Sequence, residues 1–267
     1  MSKTIVFIHG AWMTPLCWDK FSDYFTAKGF TCHAPAWPQM DRPVAELRSD
    51  PPPELGKLGI SEIVAHYEQF IRNLPEAPVI IGHSFGGLIT QLLMDRGLGS
   101  AAVGISPVGP KGVLPFYPSA IRATLPILLT PFGWNRFIPQ TFEGFRYGFV
   151  QNLPEAEARK VYETYCVPAV GRIFFQAATA LFHNILKVDF ANAKRAPLLL
   201  IAGSEDHAVP EAEVRVNLSR YQRHPAAAAL TDFKTFGGRM HYLIGQPGWE
   251  EIAGYIERWL ESRGVVK

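Results

Sequence analysis

The pentapeptide GHSFG at positions 82–86 is the strongest chemical signal in the chain. It directly follows the apolar run 79–81 and directly precedes a helical pattern, so Ser84 stands between a strand and a helix. The glycines allow a tight turn that exposes the serine hydroxyl, and the amides that follow can face an oxygen that gains negative charge. The bare pattern arises by chance in on the order of one chain in ten of this length, so its strand–turn–helix context carries the argument. Ser84 is therefore the predicted nucleophile of an acyl transfer.

A serine hydroxyl needs a general base, and the base needs a group that orients it. His241 lies in a glycine-containing loop just past the last strand-like run, and it is the predicted base. Asp206 follows another strand-like run and is the predicted orienting carboxylate, with Glu205 and Asp232 left open as alternatives. His207 stands beside two carboxylates but lacks a third separated ligand motif. No metal and no cofactor are predicted.

A second glycine-containing turn, HGAW at positions 9–12, follows the first strand-like run. In a parallel sheet this turn can lie beside the strand that precedes Ser84. The backbone amides of Ala11 and Phe85 are then predicted to form an oxyanion hole, and the helix after Ser84 adds the positive end of its dipole. The alternative is that Gly10 only ends a strand.

Elements of two kinds must position these groups. Apolar, β-rich runs alternate with helical patterns, and they occupy residues 4–8, 30–34, 78–81, 101–105, 197–202 and 232–236. This alternation predicts an α/β fold with a mainly parallel sheet of about six strands flanked by helices. Apolar residues at helical spacing predict three packing helices. The first is capped at Ser61 and ends before Pro75, the second follows Ser84 and ends at Gly97, and the third runs from Trp249 to Gly264.

Residues 108–196 break the alternation, because they are rich in Pro, Phe, Tyr and Leu and contain two helical patterns near 155–165 and 172–186. The prediction is a core formed by 1–107 and 197–267, with an inserted, largely helical cap at 108–196. Most cap aromatics are expected to pack against each other, while a few line an apolar acyl pocket. The candidates for substrate contact, with Trp12 beside the oxyanion turn, are Phe132, Trp134, Phe142, Phe145 and His183.

The composition bounds the class of protein. The 267 residues are 48% apolar and 19% charged with a net charge of +2, which is ordinary for a globular domain. No basic run is interleaved with aromatics, so the expected partner is a small neutral molecule and neither a nucleic acid nor a membrane. The three cysteines show no zinc-ligand spacing and are expected to be reduced. With no signal-peptide core, a cytoplasmic monomer or homodimer is expected.

Taken in order, these motifs resemble the α/β-hydrolase superfamily over essentially the whole chain. The motifs are HG at 9–10, GHSFGG at 82–87, GxxDxxVP at 203–210 and His241. The chain starts at the His-Gly strand, and its predicted cap follows the strand that ends at Ser106. In these two features it is most similar to the short branch with plant methylesterases and hydroxynitrile lyases. The resemblance implies Ser84 as nucleophile, His241 as base, Asp206 as acid and the amides of Ala11 and Phe85 as oxyanion donors. These are the same groups that the motifs predict.

Two departures narrow the implied activity. The lyases of that branch carry Thr where this chain has Gly10, and haloalkane dehalogenases and epoxide hydrolases use Asp where it has Ser84. The resemblance therefore implies a carboxylesterase that cleaves small to medium, largely apolar esters through an acyl-enzyme. A lactonase, a perhydrolase or a carbon–carbon bond hydrolase with the same triad stays open. A ligand-binding protein with a hydrolase pocket and weak turnover is the alternative from another class, and the intact triad favours the enzyme.

Overall fold

The computed structural model describes residues 2–114 and 116–266. Its strands in chain order are β1 (Thr4–Ile8), β2 (Thr31–His33), β3 (Val79–His83), β4 (Ala101–Ile105), β5 (Phe137–Ile138), β6 (Ala169–Val170), β7 (Leu198–Gly203) and β8 (Thr231–Phe236). Six of them form one sheet in the order β2-β1-β3-β4-β7-β8. All five neighbouring pairs of this sheet are parallel, which confirms the predicted six-stranded α/β architecture.

The inner strands explain why the sheet forms. Every residue of β1, β3, β4 and β7 is buried, whereas the edge strands β2 and β8 are partly exposed. Parallel strands that are covered on both faces read as continuous apolar runs, and the sequence shows that pattern. The strand order reverses between β1 and β3, so a crevice opens there at the carboxyl ends of the strands, where α/β proteins bind ligands.

Eleven α-helices surround the two sheets in the described residues: α1 (Asp19–Ala27), α2 (Val44–Ser49), α3 (Ile60–Arg72), α4 (Phe85–Asp95), α5 (Pro118–Leu128), α6 (Phe142–Phe149), α7 (Glu155–Tyr165), α8 (Gly171–Ala178), α9 (Glu211–Gln222), α10 (Pro225–Ala228) and α11 (Glu250–Ser262). Short 3-10 turns lie at Pro15–Trp18, Pro53–Lys57, Gly133–Asn135 and Ala180–Phe182. Helix α4 has ten buried residues and packs against both β3 and β4. No helix of the described residues is long and apolar enough to cross a membrane.

Residues 108–196 lie between β4 and β7 and contain helices α5 to α8 with a small antiparallel pair, β5 and β6. Helix α7 occupies the predicted range 155–165. The predicted helix over 172–186 is wrong in its second half, because α8 ends at Ala178 and a 3-10 turn follows. At that end Nδ1 of His183 accepts the amide of Ile185, a local bond that competes with helix formation.

The three predicted packing helices are present as α3, α4 and α11. The predicted cap of α3 is wrong by two residues: the capping position is Gly59 rather than Ser61. A carboxylate oxygen of Glu62 accepts the Gly59 amide at 3.1 Å, and the side chain of Gln176 accepts the Ile60 amide at 2.9 Å. These two side chains satisfy amides that would otherwise lack partners at the helix start.

Candidate active site

Ser84 lies in the sharp turn between β3 and α4. Its φ is 57° and its ψ is −122°, a strained combination for a residue with a side chain. Backbone hydrogen bonds hold the turn on both sides: the Ser84 amide donates to Ile105, and the Ser84 carbonyl accepts from Gly87 and Val108. The neighbouring chain passes so close that a Cβ on Gly86 would lie 2.0 Å from the carbonyl oxygen of Ile8. Ser84 therefore has the strained backbone conformation, whereas Gly86 lets the neighbouring chain pass close to the turn.

The turn after β1 meets the Ser84 turn directly. Ile8 pairs with Gly82 in the sheet, so Gly10 and Ser84 follow at matching positions. A Cβ on Gly10 would lie 2.7 Å from Cβ and 3.3 Å from Oγ of Ser84. The two turns are thus neighbours, as expected. Because Gly10 has no side chain, the space beside the Ser84 hydroxyl stays free.

The two predicted oxyanion amides belong to the residues that follow Gly10 and Ser84 in these turns. Among the hydrogen bonds of the described residues, none has the amide of Ala11 or of Phe85 as its donor. His9 fixes the peptide between Gly10 and Ala11. Its Nε2 accepts the Trp37 amide at 3.2 Å, so Nδ1 carries the proton that is donated to the Gly10 carbonyl at 2.9 Å. In a trans peptide the N–H points opposite to the C=O, so this bond turns the Ala11 amide away from His9.

His241 and Asp206 form a buried pair. Nδ1 of His241 donates to Oδ2 of Asp206 at 2.7 Å, so the neutral form of the ring has its proton on Nδ1, and Nε2 has no hydrogen-bond partner among the described residues. The other carboxylate oxygen, Oδ1, accepts the amides of Ala208 at 2.9 Å and Val209 at 2.8 Å. The acid is therefore fixed at both oxygens, and the histidine presents a lone pair.

His83 joins the serine turn to the His241 loop. Its ring lies 4.6 Å from the His241 ring, centroid to centroid, and its Nε2 donates to the His241 carbonyl at 2.8 Å. Burial lowers the pKa of His83 well below the usual histidine value, and the nearby His241 lowers it further, so the ring is neutral. Among the described residues no hydrogen bond joins the side chains of Ser84 and His241; bonds between a nucleophile and its base often tighten only in the complex with substrate.

The alternatives for the acid lie elsewhere. Glu205 is exposed, and its carboxylate accepts the side chain of Asn152. Asp232 accepts the indole N–H of Trp259 at 2.6 Å and the guanidinium of Arg263. His207 bonds to the Tyr147 carbonyl, and the described residues hold no group of three metal-ligand side chains. The structure thus brings Asp206, and neither rival, to His241.

A cavity of about 110 Å³ opens beside the nucleophile turn. Its wall is almost entirely apolar and comes from α4, α5, α8, α9 and the loops after β4 and β7: Phe85, Val108, Phe116, Ala120, Ile121, Thr124, Leu125, Leu128, Phe174, Ala177, Ala178, Ala208, Val209 and Glu213. Phe85, the residue after Ser84, is part of this wall, and its ring packs against that of Phe174.

The predicted substrate contacts are not the residues that line this cavity. Phe142 and Phe145 are buried and pack against Tyr162. Phe132 and Trp134 are exposed and contact each other, with Trp134 also against Phe175.

The other two predicted contacts, His183 and Trp12, are also outside the cavity wall. The ring of His183 bonds to the Gln176 carbonyl. Trp12 is buried with a φ of 62° and packs against Phe174, which does line the cavity.

Sequence reasoning missed Glu213 and the role of His83. Glu213 reads as an ordinary acid in the first turn of α9, yet it is buried and lines the cavity. Its burial depends on the packing of α9 under the loop after β4, which no local pattern reveals. His83 could have been noticed from its place inside the pentapeptide, although its bond to the His241 carbonyl spans 158 residues.

Comparison with known proteins places the chain in a family. Residues 5–250 match the family model described as the alpha/beta hydrolase family. A search of curated proteins finds no match to the sequence.

Solved structures share the fold at low identity. A monoacylglycerol lipase from Paleococcus ferrophilus superposes with a TM-score of 0.67 at 20% identity, covering 97% of this chain and 94% of that one. An extracellular alpha/beta-hydrolase from a Paenibacillus species, which shares structural and functional homology with tobacco salicylic acid binding protein 2, gives 0.68 at 20% identity, with 96% and 98% coverage. A methylesterase from Arabidopsis gives 0.67 at 14% identity, with 97% and 98% coverage.

Proposed function

Because this chain belongs to the alpha/beta hydrolase family, we propose that it is a serine hydrolase that cleaves carboxylic esters through an acyl-enzyme. The observation that carries the proposal is the 2.7 Å bond from His241 to Asp206, since it leaves the Nε2 lone pair free to accept a proton. Ser84 is the nucleophile, and the amides of Ala11 and Phe85 are the oxyanion donors. Residues 108–196 act as the cap over the acyl pocket.

The first half-reaction acylates the serine. Ser84 Oγ attacks the ester carbonyl carbon while its proton passes to Nε2 of His241, and the imidazolium is stabilised by the Asp206 carboxylate. The carbonyl oxygen gains negative charge and accepts from the amides of Ala11 and Phe85. When the intermediate collapses, the alcohol leaves with the proton from Nε2, and the acyl group stays on Ser84.

The second half-reaction reverses these roles. Water gives a proton to Nε2 of His241 and attacks the acyl carbon, and the same two amides again hold the oxyanion. Collapse returns the proton to Ser84 Oγ and releases the acid. Removing one oxyanion donor typically costs about two to three orders of magnitude in rate, so the two free amides are a major part of the proposal.

The apolar cavity supports a preference for apolar acyl groups of short to medium length. Each buried methylene contributes about 0.8 kcal/mol, so two added carbons raise kcat/KM on the order of tenfold until the pocket is full. We expect acetate to hexanoate esters and small lactones to be cleaved, without interfacial activation. The measurement is kcat/KM for a series of p-nitrophenyl esters, lactones and emulsified triglycerides.

The same series separates the alternatives. Cleavage of lactones in preference to linear esters would assign a lactonase. Efficient cleavage of emulsified long-chain triglyceride with acetate and butyrate esters untouched would contradict the acyl preference. Binding of the esters without turnover would instead favour the ligand-binding protein.

A further inference from the structure

One carboxyl group of the cavity wall is unexplained by the proposed catalysis. Glu213 lies in the first turn of α9 and is 1% exposed. Besides Thr124, it is the only polar residue among the described residues that line the cavity. The hydroxyl of Thr124 is already used, since it donates to the Ala120 carbonyl at 2.8 Å. Among the described residues of this wall, the Glu213 carboxyl is therefore the one side-chain polar group that has no assigned role.

The two oxygens of Glu213 have different surroundings. Oε1 accepts the amide of Gly109 at 3.1 Å, whereas Oε2 is buried and has no hydrogen-bond partner among the described residues. A buried polar atom without a partner is costly, and an apolar residue of similar size would fill the same space without that cost. Because Glu213 lines the cavity, a molecule bound there can provide the partner that Oε2 lacks.

Glu213 is also joined to the nucleophile turn. The Gly109 amide that it accepts follows Val108, whose own amide donates to the Ser84 carbonyl at 3.1 Å. Val108 and Phe85 both line the cavity. An acyl group that extends from a carbonyl at the Phe85 amide into the cavity therefore reaches the wall that contains Glu213.

The protonation state sets what Oε2 can do. Burial raises the pKa of Glu213 to about 8, and the bond from the Gly109 amide only partly offsets this. Among the described residues the charged group that raises the pKa of Glu213 further is Asp206. Burial raises the pKa of the Tyr117 phenol, and Glu213 in turn raises that pKa further. At neutral pH the carboxyl is mostly protonated, and since Oε1 accepts from Gly109 the proton lies on Oε2, which is a donor.

We propose that Glu213 determines substrate specificity: its Oε2–H donates to an oxygen within the acyl chain, so the preferred substrates are esters of apolar acids that carry one oxo or ether oxygen. Acids with a second carboxylate are disfavoured, because the rest of the wall offers such a charge no partner. This inference rests on the proposed ester hydrolysis for its substrate class. It assigns Glu213 to binding and gives it no proton-transfer step.

The test compares matched substrates. Ethyl heptanoate and its 3-, 4-, 5- and 6-oxo analogues are hydrolysed by the wild-type protein, Glu213→Leu and Glu213→Gln, with released acid measured by chromatography. At one oxo position we expect the wild type to favour the oxo ester over its plain counterpart about tenfold more than Glu213→Leu does. Comparing variants cancels the intrinsic reactivity of each ester. Glu211→Gln, on the same helix with its carboxylate on Arg215 and Thr235, is the control that keeps the wild-type ratio.

The pH dependence gives a second readout. As pH rises from 7 to 9.5 the wild-type preference should fall, because the donor on Oε2 is lost. Glu213→Gln keeps an N–H donor and does not titrate, so its preference should hold over that range. If Glu213→Leu does not fold, this comparison decides: a wild-type preference constant to pH 9.5 overturns the proposal.

Binding separates this inference from the proposed catalysis. In Ser84→Ala, which keeps the pocket, calorimetry measures the affinity for plain and oxo esters without turnover. We expect the favoured oxo ester to bind about tenfold more tightly than ethyl heptanoate. Equal affinities overturn the role of Glu213 whether or not the wild type hydrolyses esters. Absence of hydrolysis in the wild type contradicts the proposed function alone.

Discussion

At the scale of single residues, hydrogen bonds hold the side chains of Asp206, His241 and His9 in one orientation each. Asp206 uses both oxygens, on His241 and on the two amides at 208–209, and His241 keeps Nε2. His9 is neutral because burial lowers its pKa to about 4, and it holds the Gly10 carbonyl. Each of these hydrogen bonds excludes an alternative orientation of a group that the proposed reaction uses.

The acid assignment leads to a prediction. In Asp206→Asn the amide can donate to Nδ1 of His241 and favour the wrong tautomer, so kcat should fall by roughly ten-thousandfold with little change in KM. Glu205→Gln is the matched control, because Glu205 is adjacent in the chain but exposed, and its kcat should stay close to wild type. Steady-state kinetics on one ester measures both. The reverse outcome would mean that the acid is misassigned.

At this scale the sequence predicted the groups that follow strands and missed those buried by tertiary packing. Ser84, Asp206 and His241 all lie just beyond strand ends, which apolar runs reveal. Glu213 could not be recognised, because its burial comes from contacts of the Gly109 loop. The choice of Phe142 as a contact residue relied on aromatic content, which does not distinguish packing within the cap from a pocket wall.

At the scale of elements, the junction of β1, β3 and α4 positions Ser84, the proposed nucleophile. The helix begins one residue after Ser84, and Gly86 lets it pass over the end of β1. The strands of this junction were predicted within two residues, because each is an apolar run flanked by loop residues. Helices α5 and α6 were not predicted, because α5 contains Pro126 and α6 contains Gly144 and Gly148, which weaken a helical pattern.

This junction predicts a stability effect. Gly86→Ala would place Cβ 2.0 Å from the Ile8 carbonyl oxygen, a backbone atom held within the sheet. We expect the free energy of unfolding to fall by about 1–3 kcal/mol or more, as for an overpacked core. Gly237→Ala is the control, because nothing lies within 4 Å of a Cβ there, and it should change stability by less than about 0.5 kcal/mol. Denaturant unfolding checks both, and equal stability of the two variants would contradict the packing argument.

At the scale of the whole molecule, one buried acid links pH to stability. Glu213 has a pKa of about 8 in the folded protein against an ordinary value of 4.5, so between these values the folded state binds a proton that the unfolded state lacks. Stability therefore falls as pH rises through this window. Relative to Glu213→Gln, the wild type should lose up to about 1.4 kcal/mol of unfolding free energy per pH unit there. Parallel curves for the two proteins from pH 5 to 8 would contradict the assignment.

The acyl-enzyme on Ser84 is the central claim, and trapping it is the most direct test. An organophosphonate mimics the tetrahedral intermediate and needs an activated serine hydroxyl. We expect intact-mass analysis to show one adduct per chain, peptide mapping to place it on Ser84, and Ser84→Ala to take up no label and lose nearly all ester hydrolysis while remaining folded. Labelling at a different residue, or wild-type turnover in Ser84→Ala, would contradict the account.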